Sequence, residues 1–163
     1  MKIIFCDIDG VLNVCYGQRD EFGQLFHPHF VDNLKWIIDT TGAKIVISSS
    51  WRHSGLSEMK RMWDHRNLPG DVIDITCDCA QVVDNGNCEF YDLVERGHEI
   101  QEWLNAHEVE NFVILDDDND VLESQRGNFV RCANNRDHED CVDIGYGLTK
   151  KCAEKAIEIL LKK

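Results

Sequence analysis

Apolar residues along the chain fall in short unbroken runs that stop abruptly at polar ones. Lys2-Ile3-Ile4-Phe5-Cys6 ends at Asp7, Lys44-Ile45-Val46-Ile47 ends at Ser48, and Phe112-Val113-Ile114-Leu115 ends at Asp116. Runs without polar alternation predict strands buried on both faces. Between them the period changes. Phe30, Leu34, Ile37 and Ile38 recur at helical spacing after Pro28, which a first helical turn tolerates, and Gly42 closes that helix. Further helices are expected over Leu56 to His65, Glu99 to His107 and Lys151 to Leu161, the last with Ala153, Ala156, Ile157, Leu160 and Leu161 on its apolar side. Asp71 to Thr76 predicts another strand, and Phe129-Val130 a short last one. Asn13 to Phe26, with Gly17 and Gly23, predicts a loop or small hairpin. Cys77 to Asp92 has no clear period, and Asn85-Gly86-Asn87 is a turn signal within it.

Strands alternating with helices argue for an α/β fold in which helices cover both faces of a mainly parallel sheet. Sites in such sheets lie beyond the carboxyl ends of the strands. Three of the predicted strands end there in residues able to do chemistry: Asp7 and Asp9, then Ser48 to Ser50, then Asp116 to Asp118. No repeat, low-complexity segment or linker divides the chain, so residues 1–163 are expected to form one domain.

Composition narrows the partners. The 163 residues carry 30 acidic and 17 basic side chains, a net charge of −13. This disfavours an extended grip on nucleic acid or an anionic membrane, both of which need surplus Lys and Arg. No apolar run approaches the roughly 20 residues of a membrane span. Met1-Lys2 leads straight into a strand interrupted by Asp7 and Asp9, which is not a signal peptide, so a cytoplasmic location is expected. The eight cysteines are then expected to be reduced thiols. Cys77, Cys79 and Cys88 make a poor zinc half-site, because the two-residue gap and a clear fourth ligand are missing.

Two acidic clusters, each ending a buried strand, would repel one another unless a cation sat between them. Carboxylate oxygens suit Mg²⁺, which commonly takes one or two of them together with phosphate and water. Asp116-x-Asp118-x-Asp120 resembles the start of an EF-hand loop, but Val121 and Gly127 stand where that loop needs Gly and Glu.

Asp7-x-Asp9-Gly10-Val11-Leu12 resembles the first motif of the haloacid dehalogenase (HAD) superfamily of phosphohydrolases. The hydroxyl residues after the second strand and Asp116-Asp117 after the later one are similar to its further motifs, in the same order. Ile47-Ser48-Ser49-Ser50-Trp51-Arg52, Arg96-Gly97-His98-Glu99-Ile100 and Gly147-Leu148-Thr149 resemble a smaller subgroup, the phosphatase domains attached to RNA-repair proteins. The resemblance implies a Rossmann-like three-layer α/β/α sandwich, capless or with a minimal cap, and a Mg²⁺-dependent phosphatase. It makes Asp7 the nucleophile and Asp9 the general acid and base. Gly10 would leave room for a sharp turn. Mg²⁺ would be held by the Asp7 carboxylate, the Asp9 backbone carbonyl, and Asp116 or Asp117. Ser49 would hydrogen-bond the phosphoryl oxygens, with Ser48 as its rival and Ser50 beside them. Arg96 would take the place of the family's usual Lys, with Lys60 as an alternative.

Arg52 is a further candidate for a substrate phosphate. His27 and His29 are weaker ones, and Trp51 and Trp63 are expected to be packing residues. A response-regulator receiver shares the sheet, the acids and Mg²⁺, but its acidic pair belongs on the first strand. The expected activity is phosphomonoester hydrolysis on a small substrate or a phosphorylated strand end. The alternatives are a nucleic-acid end-processing enzyme of the 3′-phosphatase kind, working with RNA-repair partners, and a non-catalytic phosphate-binding module.

Overall fold

A computed structural model of the chain describes residues 1–13, 17–77, 81–84, 89–92, 96–132 and 147–162. In chain order these form β1 (Lys2–Cys6), β2 (Arg19–Asp20), β3 (Gly23–Gln24), α1 (Pro28–Thr41), β4 (Lys44–Ile47), α2 (Leu56–His65), β5 (Val72–Ile75), β6 (Gln81–Asp84), β7 (Glu89–Asp92), α3 (Arg96–Ala106), β8 (Asn111–Asp116), β9 (Phe129–Arg131) and α4 (Lys150–Leu161). Short 3₁₀ turns at Ser50–Ser54 and Glu123–Asn128 follow β4 and precede β9.

Five strands make a wholly parallel sheet in the order β5-β4-β1-β8-β9. The register puts Cys6 of β1 level with Ile47 of β4 and Leu115 of β8. The next residues are Asp7, Ser48 and Asp116, so the polar ends of three strands reach one height. The ladder continues past them through Asp7 N–H to the Leu115 carbonyl (2.9 Å) and Ser48 N–H to the Cys6 carbonyl (3.0 Å).

Strand side chains alternate between two apolar layers. Ile4, Cys6, Ile45, Ile47, Val113 and Leu115 pack with Leu34 and Ile37 of α1, Met62 of α2, and Ala153, Ala156 and Leu160 of α4. Ile3, Phe5, Val46 and Ile114 pack on the other face with Ile100 and Trp103 of α3. Burial on both faces explains why these strands lack alternation. The sandwich therefore has three layers, as the sequence predicts.

Between β1 and α1 the described residues hold only the β2–β3 hairpin, which is far too small for a cap domain. The segment without clear period contains an antiparallel hairpin, β6 with β7. Its turn signal at Asn85-Gly86-Asn87 lies outside the described residues, as do Cys79 and Cys88. Cys77 is disulfide-bonded, which corrects the expectation of reduced thiols throughout and removes Cys77 from any zinc half-site. Cys6, Cys132 and Cys152 are free thiols. Among the described residues no helix is long and apolar enough to cross a membrane.

Candidate active site

β1 leads into a tight turn fastened by hydrogen bonds from Leu12 N–H (2.9 Å) and Asn13 N–H (3.2 Å) to the Ile8 carbonyl. Ile8, Val11 and Leu12 are fully buried and anchor the turn in the core, while Asp7 and Asp9 flank Ile8. Gly10 has φ of +79°, and a Cβ there would lie 2.2 Å from Asp117 Oδ2. The position therefore needs glycine both for its backbone and for the space taken by Asp117.

Asp7, Asp116 and Asp117 meet above the sheet with only 5, 2 and 4% of their surfaces exposed. One carboxylate oxygen from each lies within 4.8 Å of the others. Arg96, at the first turn of α3, donates from Nη1 to Asp7 Oδ1 (2.7 Å) and stands 3.3 Å from Asp116 Oδ2. Asp120, on the loop after β8, fixes the start of that helix. It accepts the Arg96 N–H on its carboxylate (3.0 Å) and the Gly97 N–H on its carbonyl (3.0 Å). Arg96 is therefore helical, three residues before the expected start.

Crowding of buried charge shifts the ionisation of these groups. Burial raises Asp116 to about 8, the Asp7 charge adds to this, and Arg96 opposes it. Burial also raises Asp7, against the charge and hydrogen bond of Arg96 and a hydrogen bond from Ser49. Burial works against the Arg96 guanidinium charge too, but Asp116 and Asp7 hold its pKa above the ordinary value. Three buried carboxylates presenting oxygen, two of them beside Arg96, suit a small divalent cation such as Mg²⁺. Among the described residues, Asp7, Asp116 and Asp117 are the side chains grouped so that they could hold it.

Asp9 stands apart from that cluster. Its Oδ1 accepts from Asn13 Nδ2 (2.7 Å) and its Oδ2 from Trp51 Nε1 (2.9 Å). Asp118 is exposed and outside the cluster, so the later acidic run contributes two members rather than three. Ser48 and Ser49 are both fully buried. Ser49 lies beside Asp7 and works to lower its pKa, whereas Ser48 Oγ has no hydrogen-bond partner among the described residues. Ser50 is exposed at the start of the 3₁₀ turn.

Arg52 is buried, and its Nη2 lies 2.6 Å from Glu99 Oε1 of α3. Lys60 is exposed on α2 and has Asp71 for a charged neighbour, whereas Arg96 reaches the carboxylates. His27 lies against Phe30 with the rings tilted by 32° and their centres 4.6 Å apart, and neither His27 nor His29 joins the acidic group. Trp63 is a packing residue against Phe26, as expected. Trp51 also packs near Phe26, but its indole N–H serves Asp9, a role its sequence position does not disclose. Asn13 and Asp120 are likewise missed by sequence reasoning, as is Arg131, whose Nε donates to the Asp117 carbonyl (3.1 Å). For Asn13 the available signal was its spacing of four residues from Asp9 in a tight turn.

A parallel sheet with acidic side chains gathered at the ends of its central strands puts this cluster where open α/β sheets carry their sites. The family model described as the HAD domain in Swiss Army Knife RNA repair proteins matches residues 3–137, and the chain belongs to that family. The matched stretch holds Asp7, Asp9, Ser49, Arg96, Asp116 and Asp117. No curated protein and no solved structure gives a match.

Proposed function

We propose that the chain is a Mg²⁺-dependent phosphomonoester hydrolase that works through an aspartyl-phosphate on Asp7. The observation that carries this reading is the unequal treatment of two neighbouring carboxylates. Asp7 is buried among Asp116, Asp117 and Arg96, while Asp9 is held outside the cluster by neutral donors. A nucleophile needs a cationic setting that tolerates an anionic phosphate beside it. An acid–base group needs freedom to carry its proton in both directions.

In the first half-reaction an Asp7 carboxylate oxygen forms a bond to phosphorus and the bond to the leaving oxygen breaks. The Asp9 proton passes to that oxygen, so the alcohol departs neutral. In the second, Asp9 takes a proton from water as the water oxygen bonds to phosphorus and the Asp7 oxygen–phosphorus bond breaks. Inorganic phosphate leaves, and both carboxyl groups return to their starting states. Arg96 offsets charge on Asp7 and the transferring phosphoryl group, and Ser49 hydrogen-bonds the phosphoryl oxygens. Asp7, Asp116, Asp117 and the Asp9 backbone carbonyl would hold Mg²⁺, which would supply charge to lower the repulsion between anionic nucleophile and anionic phosphate.

The substrate is a small phosphomonoester or a phosphorylated strand end. The family description favours RNA ends as a second reading, and the net charge of −13 fits a terminus held by few contacts better than a long strand. The chain is read as one domain over residues 1–163 acting in the cytoplasm.

The test is a panel of sugar phosphates, nucleotides and 3′- or 5′-phosphorylated oligonucleotides, assayed for phosphate release with Mg²⁺ and with EDTA. Mg²⁺-dependent release that disappears in Asp7→Asn supports the proposal. Silence across the panel, or release unaffected by Asp7→Asn, overturns it.

A further inference from the structure

We infer that Trp51 is a positioning residue that aims the Asp9 carboxyl group at the leaving oxygen, with Asn13 as its counterpart on the other carboxylate oxygen. This rests on the phosphohydrolase proposed above and adds to it a group that delivers the proton along one direction.

The geometry is specific. An indole has a single polar function, a donor, so the 2.9 Å bond from Trp51 Nε1 to Asp9 Oδ2 has only one sense. Asn13 donates to Oδ1 at 2.7 Å and receives the Gly10 N–H on its own carbonyl oxygen at 3.4 Å, which ties the amide to the same turn. Each Asp9 oxygen thus has one lone pair engaged by a neutral donor and another left for proton transfer.

Trp51 is itself held on several sides. Its backbone N–H meets Ser49 Oγ at 3.4 Å, so it stands one contact away from the hydroxyl beside Asp7. Phe26 lies 6.0 Å away, centre to centre. Gly23 of the β2–β3 hairpin has φ of +116°, and a Cβ there would come within 3.1 Å of the indole. Arg66 fastens the hairpin by two bonds to Asp20 (2.6 and 2.9 Å) and lies 5.8 Å from the Trp51 ring. The hairpin and the Phe26 side chain therefore set the angle of the indole, and the indole sets that of Asp9.

A residue that only supports the fold would affect all substrates alike, whereas a lost proton donor matters in proportion to the basicity of the leaving group. The parameter to measure is kcat/KM, because it ends at departure of the leaving group and excludes the later hydrolysis of Asp7-phosphate. The substrates are alkyl phosphates and aryl phosphates of acidic phenols, with Mg²⁺. Trp51→Phe, which keeps a ring and removes the N–H, is expected to lower kcat/KM roughly 30- to 100-fold on the alkyl esters and less than about fivefold on the aryl esters. Asn13→Ala is expected to show the same bias. Trp36→Phe, at a half-exposed position on α1, is the control and should leave the ratio unchanged. With an active wild type, an equal loss on both ester classes in both variants, or no loss, overturns the inference and leaves the hydrolase reading standing. A wild type silent on every ester overturns both.

Discussion

Replacing Arg96 by Gln removes the guanidinium that bridges Asp7 and Asp116, leaving three buried carboxylates without its compensation. Breaking a fully buried ion pair by removing one partner costs about 3–5 kcal/mol. The Arg96 side chain is 22% exposed, so solvent screens part of this, and about 2–3 kcal/mol is the working figure. For a chain of this size that lowers Tm by roughly 5–10 °C. The sign of the pH dependence follows from the carboxylates. Burial raises Asp7 and Asp116 above their unfolded values, Asp116 to about 8. Between about pH 4 and that value the folded state binds more protons than the unfolded one, so stability falls as pH rises. Losing Arg96 raises these groups further. The deficit of Arg96→Gln should therefore be larger at pH 7.5 than at pH 5, and Mg²⁺ should narrow it by binding the folded state alone. Activity does not recover with the metal, since loss of a charge-stabilising donor lowers kcat by about 10²–10³. Thermal melts of both proteins at the two pH values, with Mg²⁺ and with EDTA, check this. Equal melting temperatures, or a gap indifferent to both pH and Mg²⁺, would refute the reasoning.

Other expectations are simpler. Gly10→Ala forces a Cβ to within 2.2 Å of Asp117 Oδ2 at a positive φ, so half-saturation by Mg²⁺ should rise about tenfold with about 1 kcal/mol lost in stability; an unchanged Mg²⁺ titration counts against Asp117 as a ligand. Glu99→Gln strands a buried Arg52 and should lower stability by about 3–5 kcal/mol in urea melts, whereas the double change to Met at both positions should recover most of it; additive losses would contradict this. Hydrogen bonds from Arg66, assisted by the Phe22 backbone N–H and the Arg66 charge, hold Asp20 at about 2, so the pair stabilises the protein above the ordinary carboxylate pKa and loses that contribution as pH falls towards 2. Asp20→Asn should be about 1 kcal/mol less stable at pH 6 and indistinguishable from wild type near pH 2, and a difference that persists in acid would exclude the linkage.

What the sequence discloses is set by the range of the interaction concerned. β1, β4 and β8 are legible because strands buried on both faces leave unbroken apolar runs, and their register follows from where those runs stop. That places Asp7, Ser48 and Asp116 at one level. Arg96 is legible as the basic residue next to a helix leading into β8, although the Asp120 contact that moves the helix start to it is not. The ion pair of Arg52 is not legible because its partner, Glu99, is 47 residues away. Trp51 has the apolar neighbours of a packing residue, and only the fold turns its N–H onto Asp9 across 42 residues. β6 and β7 escape because paired strands of four residues carry too few positions to show a period.

The central claim is that Asp7 becomes phosphorylated during turnover. Rapid acid quench with a phosphate-labelled substrate and Mg²⁺, followed by peptide mapping, tests it most directly. Label on the peptide containing Asp7, present in Asp9→Asn and absent in Asp7→Asn, is the expected result. Phosphate release by the wild type with no label on Asp7 in either wild type or Asp9→Asn, or with label at another residue, would contradict it.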